Sequence, residues 1–358
     1  MRASLLTFLA TGLALIGAPA ARAQPANQAV VGFDALVRNY NLVSFGDAAF
    51  TNGYGDTHGP LAVQGNLTVH GGAIAAQPGL FGVTSDPTLF VGGQLNLSGT
   101  VDLNNGYASL NPALSGSWDS VQRRLTTGGG VLSTINSGAS LAANDPRTNA
   151  GPAGWDWAAT QADAISISQT LAGVTPSGMV QMQGQTLTFN ANGASGVTVF
   201  NLDASLLSGN SYNGQMFSGL QFNIASDALY VVNVTNLTDG QTLFGNGVNF
   251  NYENGYERLL WNLLPSNSPT TSIGLGNGGQ FYGSILAPQV NLSNANNAAV
   301  NGQVVAANYS HSSAELHYTG FDASGITFSA VPEPSTYALG AVAICAAGAL
   351  WRRRRMAG

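Results

Sequence analysis

Leu61-Ala62-Val63-Gln64-Gly65-Asn66-Leu67-Thr68-Val69, closed by Gly71-Gly72, is the stretch whose reading decides the fold. Apolar residues alternate with polar ones at the period of a strand, and glycine and asparagine mark a bend. Leu89 to Leu103 repeats the design, as do Phe281 to Leu292 and Ala299 to Ala306. Each piece has a few inward apolar positions and cannot bury them alone. Stacking the pieces as rungs solves this, so the expected fold is mainly β, a β-solenoid (β-helix-like). A β-sandwich is the competing architecture.

Between the two groups of rungs, residues 109–180 break the pattern. Trp157, Gln161, Ala164, Ile165, Ser168, Leu171 and Ala172 fall on one helical face. Asp156 is a suitable N-cap, and Gly173 and Pro176 are suitable stops. Trp118, Val121 and Leu125 predict a shorter helix before it. This helical insertion accompanies the sheet as a packing element. From Gln185 onward strands return, and Glu257 to Leu264 reads as a buried strand. No linker divides the body.

Composition supports many short strands with tight corners: 46 glycines, and only 8% charged residues. Both ends carry addresses. Arg2, the apolar run Leu5 to Gly17 and the site Ala21-Arg22-Ala23 form a signal peptide over residues 1–23, cut before Gln24. Its user would be the Sec machinery with signal peptidase. At the other end Val331-Pro332-Glu333-Pro334 is stiff and extended. Tyr337 to Trp351 is apolar and uncharged, and Arg352, Arg353, Arg354 and Arg355 follow. The apolar run spans roughly 22 Å, against roughly 30 Å of hydrocarbon. With Ser335 and Thr336 included, a single transmembrane helix over 335–351 is short but feasible, held on the cytoplasmic side by its arginines.

Without these ends the body, about residues 24–330, keeps five arginines (Arg38, Arg123, Arg124, Arg147 and Arg258) against 16 acids and has no lysine. A nucleic-acid partner would need a basic patch, which is missing. The lone cysteine, Cys345, lies in the tail, so the body has neither disulfide nor thiolate site.

The C-terminal segment, residues 331–358, resembles the PEP-CTERM sorting signal, with Pro332, Glu333 and Pro334 as its tripeptide. The resemblance implies transient membrane insertion, cleavage by an exosortase-like transpeptidase, and release to the surface or matrix of a Gram-negative bacterium. The body resembles the choice-of-anchor A domain in Tyr40 to Asp47, in Gly59 to Val69 as a G-x-x-A-V-x-G-N rung, in Leu260-Trp261-Asn262, and in Phe281 to Pro288 with Asn301 to Ala306 and Glu315-Leu316-His317. Gln64 stands where that family has glycine. This second resemblance implies a surface component without an established reaction, similar in architecture to ice-binding adhesins.

Catalytic signals are weak. His58, His70, His311 and His317 form no H-E-x-x-H, so neither a metal nor another cofactor is signalled. His311, Glu315 and His317 share one face if they lie on a single strand. Asp47, Asp56 and His58 surround a turn that could offer oxygens to Ca²⁺, without matching an established Ca²⁺ loop. No nucleophile elbow or phosphate loop is present. An ice-binding array of Thr-x-Thr is reduced to Thr186/Thr188, with Thr198 isolated. The expectation is an exported, non-enzymatic surface or matrix protein with no catalytic residues, associated with exopolysaccharide in a biofilm. The alternatives are a carbohydrate-active β-solenoid enzyme and an ice-binding-like adhesin.

Overall fold

Alternating apolar residues in short strands produce three parallel ladders in the computed structural model. It describes residues 20–326 apart from 38, 53–55, 78–84, 192–195, 224–227, 246, 252–254, 267–270, 277–279 and 295–298. The first ladder runs through nine strands: Gly196–Asp203, Ala228–Leu237, Leu259–Pro265, Ser284–Asn294, Val304–Ser312, Leu42–Ser44, Leu61–Val63, Leu89–Val91 and Ala108–Leu110. Spatial order therefore departs from sequence order. The last long strand pairs with the first strand, Leu42 opposite Val304, so early and late parts of the described body meet in mid-stack.

A second ladder uses the next segments of the same rungs: Thr242–Leu243, Thr271–Leu275, the distal halves of Ser284–Asn294 and Val304–Ser312, then Ala48–Thr51, Leu67–Ile74, Leu95–Leu103 and Gly130–Ser133. The third comprises Thr186–Asn190, Gly219–Asn223 and Asn249–Asn251, and separately Gln280–Tyr282, Ala299–Asn301 and Leu316–His317. Inward side chains such as Phe200, Val232, Trp261, Ile285, Val304, Leu42, Leu61 and Leu89 form one large core. At about 25 cal/mol per Å² of apolar surface removed from water, this burial is the main force holding the rungs together.

The outer side of the first ladder is also apolar, and helices cover it. Trp157–Ala172 begins where the Asp156 carboxylate accepts the Ala158 and Ala159 amides, and ends at Gly173. Its buried residues are Ala164, Ser168 and Leu171, on the predicted face. A second helix, Ala20–Val37, buries Ala26, Ala29, Val30, Phe33 and Val37 in the same layer. The sequence reading did not include it. The helix runs through Ala21 and Ala23 and contains Pro25.

The helical reading of residues 109–180 holds only for its second half. Trp118, Val121 and Leu125 belong instead to a hairpin in which Ser117–Asp119 pairs antiparallel with Arg124–Thr126, placing Trp118 opposite Leu125. Asp119 accepts the Val121 and Gln122 amides, and Arg123 has a φ of 53°. That turn outcompetes the helix, and it leaves Val121 90% exposed. Among the described residues no helix is long and apolar enough to cross a membrane. The expected membrane segment 335–351, with Pro332, Glu333, Pro334 and Arg352 to Arg355, lies outside the described residues.

Candidate functional site

The outward side of the second ladder carries an in-register polar surface. Strand pairing sets Thr242, Gly274, Ser293, Ser310, Ala49, Thr68 and Asn96 side by side in one rank. All are small or polar, while their neighbours Leu243, Ile273, Leu292, Tyr309, Phe50, Leu67 and Leu95 point into the core. The period-2 alternation of a strand produces both faces at once.

One pleat away, side chains tie the rungs together. Asn308 Nδ2 donates to Asn291 Oδ1 at 2.6 Å, and the Asp47 amide donates to Asn308 Oδ1 at 2.7 Å. The Asn66 amide donates to Asp47 Oδ1 at 2.7 Å, and the Gln94 amide to Asn66 Oδ1 at 2.9 Å. A shallow depression lies over this region, lined by Asp47, Ala49, Ser272, Asn291, Ser293 and Ser310 among others. The surface thus offers hydroxyl and amide groups, interrupted at Gly274 and Ala49, on strands about 4.8 Å apart and at steps of about 6.7 Å along them. Such a grid can hydrogen-bond a hydroxyl-rich polymer or ordered water.

The threonines singled out in the sequence are elsewhere: Thr188 and Thr198 are buried. Asp47 belongs to the polar face, where it serves Asn66, and Asp56 accepts the Ala73 amide at 2.9 Å. Residues 53–55 of the turn between them lie outside the described residues. His70 is exposed beside Ser98 on the same ladder.

His311 does not join Glu315 and His317. Ser313, with a φ of 59°, ends the strand after Ser312, and His311 points into the core against Phe50 and Tyr309. Tyr309 Oη and His311 Nδ1 lie 2.7 Å apart. His58 takes the expected place of His311. The bridge between Thr57 and Leu316 and the bond from the His58 amide to Leu316 O bring it beside His317. Sequence spacing gave no sign of this, because the contact depends on the first and last rungs meeting.

Burial pushes the His311 imidazole down to about 4, with His317 adding to the effect. The folded state keeps this ring neutral, whereas the unfolded chain takes up a proton below about 6.5. Stability is therefore fully present above pH 6.5, falls between pH 6.5 and 4, and levels off below. The expected loss is about 3 kcal/mol. Urea titrations at pH 7 and pH 4 check it: the gap between the two should shrink in His311→Gln, and an unchanged gap would refute the assignment.

The described body is thus mainly parallel β with an in-register, weakly charged polar face. The chain belongs to the ice-binding-like adhesive domain family, whose model matches residues 33–318. This is the family anticipated as choice-of-anchor A. A PEP-CTERM protein-sorting motif matches residues 330–355, and the pair marks an exported surface protein. No curated protein matches the chain. Among solved structures it is similar to LeIBP, an ice-binding protein from an Arctic yeast, at 11% identity, covering 84% of this chain and 95% of that one, TM-score 0.33. The ice-binding protein_1 DUF3494 domain of Shewanella frigidimarina matches at 11% identity over 80% and 96% respectively, TM-score 0.32. An ice-binding protein of the Antarctic ascomycete Antarctomyces psychrotrophicus matches at 13% identity over 79% and 95%, TM-score 0.28.

Proposed function

We propose that this is a non-enzymatic adhesive protein of the cell surface or extracellular matrix, and that its polar face grips exopolysaccharide in a biofilm. The supporting observation is the rank from Thr242 to Asn96, small or polar on every strand, on a chain that also carries a sorting motif. Within this reading, residues 1–23 are a signal peptide removed by signal peptidase after Sec export, and 24–330 form a β-solenoid whose faces are the three ladders. Residues 331–358 insert transiently through 335–351, stopped by Arg352 to Arg355, until exosortase cuts near Pro332-Glu333-Pro334. The host would be a Gram-negative bacterium.

One experiment addresses both halves. The full chain is expressed in an exosortase-bearing host, and intact mass and fractionation are followed. The wild type should be shortened at both ends and recovered in the matrix. Replacing Pro332 and Pro334 with alanine should keep it full-length at its C-terminus and membrane-bound. Ser293→Arg with Ser310→Arg should be processed normally but washed from the matrix. An unprocessed wild type refutes sorting, and undiminished matrix retention of the face variant refutes the adhesive assignment.

A second reading is ice adhesion. It is favoured by the regular spacing of the same rank together with the family's description. Thermal hysteresis by the purified chain, abolished in the same double variant, would select it over the polymer.

A further inference from the structure

On the opposite part of the rung, the chain's beginning and end meet in a cluster that the polar face does not use. His317 Nε2 lies 2.9 Å from Glu315 Oε2, and His58 Nε2 lies 3.6 Å from the same oxygen. One ligand atom from each of the three residues falls within 4.8 Å of the others. The two imidazoles stack with centroids 4.2 Å apart and planes at 16°. All three side chains are part-buried, and Glu315, at 44% exposure, leaves an approach open to water. We propose that His58, Glu315 and His317 form a binding site for a single divalent ion of the zinc class, clasping the first rung to the last.

The surrounding hydrogen bonds argue for a ligand set rather than a chance contact. Asn301 donates through Nδ2 to Gln280 Oε1 at 3.1 Å and to Phe281 O at 3.3 Å. Its Oδ1 must then accept, and its partner at 2.8 Å is His317 Nδ1. The proton of a neutral His317 is thereby fixed on Nδ1, and the Nε2 lone pair faces the carboxylate. An outer-shell acceptor that fixes the tautomer is the usual support of a metal-bound imidazole. With Nδ1 carrying the hydrogen, the Nε2 lone pair and the Glu315 oxygen, 2.9 Å apart, can be bridged by one metal ion that both coordinate.

Two histidines and one glutamate with water in the fourth position suit Zn²⁺ at N and O distances near 2.0–2.2 Å. Chelation requires the rings to open from their stack so that both Nε2 lone pairs converge. The ligands come from chain segments joined by the Thr57–Leu316 bridge, so bound metal adds to the closure between the ends.

The test uses the untagged full chain with Zn²⁺ and Co²⁺ as probes. Zn²⁺ should raise the melting temperature, with reversal by EDTA, and Co²⁺ should bind one equivalent with visible absorption. His58→Ala, Glu315→Gln and His317→Ala should each abolish both effects. His70→Ala should leave them intact, and Asn301→Ala should weaken binding about 10–100-fold. Circular dichroism verifies the fold of each variant, and a variant that fails to fold is replaced by the glutamine substitution at the same histidine. Absence of Co²⁺ absorption in the wild type, or its persistence in the combined His58 and His317 variant, would overturn the site.

Discussion

Asn262→Leu is expected to lower the unfolding free energy by about 3–5 kcal/mol, although leucine matches asparagine closely in size. Asn262 is fully buried between the first ladder and the long helix. Its Nδ2 donates to Ser168 O at 2.9 Å and to Asn233 Oδ1 at 2.8 Å, and it accepts from the Ser168 hydroxyl at 2.6 Å. Asn233 continues the line to Leu171 O at 2.9 Å. Leucine would break three bonds at once and strand the Ser168 hydroxyl and Asn233 Oδ1 away from water. Each stranded buried group costs about 1–3 kcal/mol. Denaturant titration measures the loss. Adding Ser168→Ala to Asn262→Leu should recover part of it, because one stranded group is removed. A loss below about 1 kcal/mol would mean that the helix docks by apolar contact alone.

Trp261→Ala should be at least as damaging, at about 3–5 kcal/mol. Trp261 is the largest fully buried side chain among the described residues. Its ring meets Phe189, Phe222, Phe244, Phe250 and Phe281, with centroids between 5.5 and 6.4 Å. Its Nε1 donates to Tyr282 O at 2.8 Å. Alanine leaves a cavity that these rings, each held by its own rung, cannot close. Trp261→Phe keeps most of the filling and should cost clearly less, chiefly through the Tyr282 carbonyl. Equal denaturation midpoints for the two variants would contradict this division.

Rung-like strands were legible because apolar alternation and bends are written locally. The role of some glycines was only half legible. At Gly93 and Gly302 the need is close stacking rather than a left-handed backbone: a Cβ would collide with the carbonyl oxygens of Gly65 and Gly283. Asp156 and the apolar stripe identified the long helix, since capping and period are also local. The helix Ala20–Val37 was hidden because its beginning coincides with the expected cleavage site and its moment is weak. Trp118, Val121 and Leu125 satisfied a helical period, yet the Asp119 turn folded them as a hairpin. Least legible was the His58 cluster. Glu315 and His317 were seen as partners, but their third member depends on pairing between rungs from opposite ends of the chain.

That pairing has a bearing on when the molecule can finish folding. Asn41 Nδ2 reaches Gly302 O at 2.8 Å, a contact separated by 261 positions along the chain. The strands from Leu42 to Leu110 have no neighbour on one edge until Val304–Ser312 is delivered. Contacts so distant in sequence form slowly. The sheet begun near the start of the body is therefore closed on that edge only after the strand 304–312 has been made, so its completion waits for nearly the whole described length of the chain.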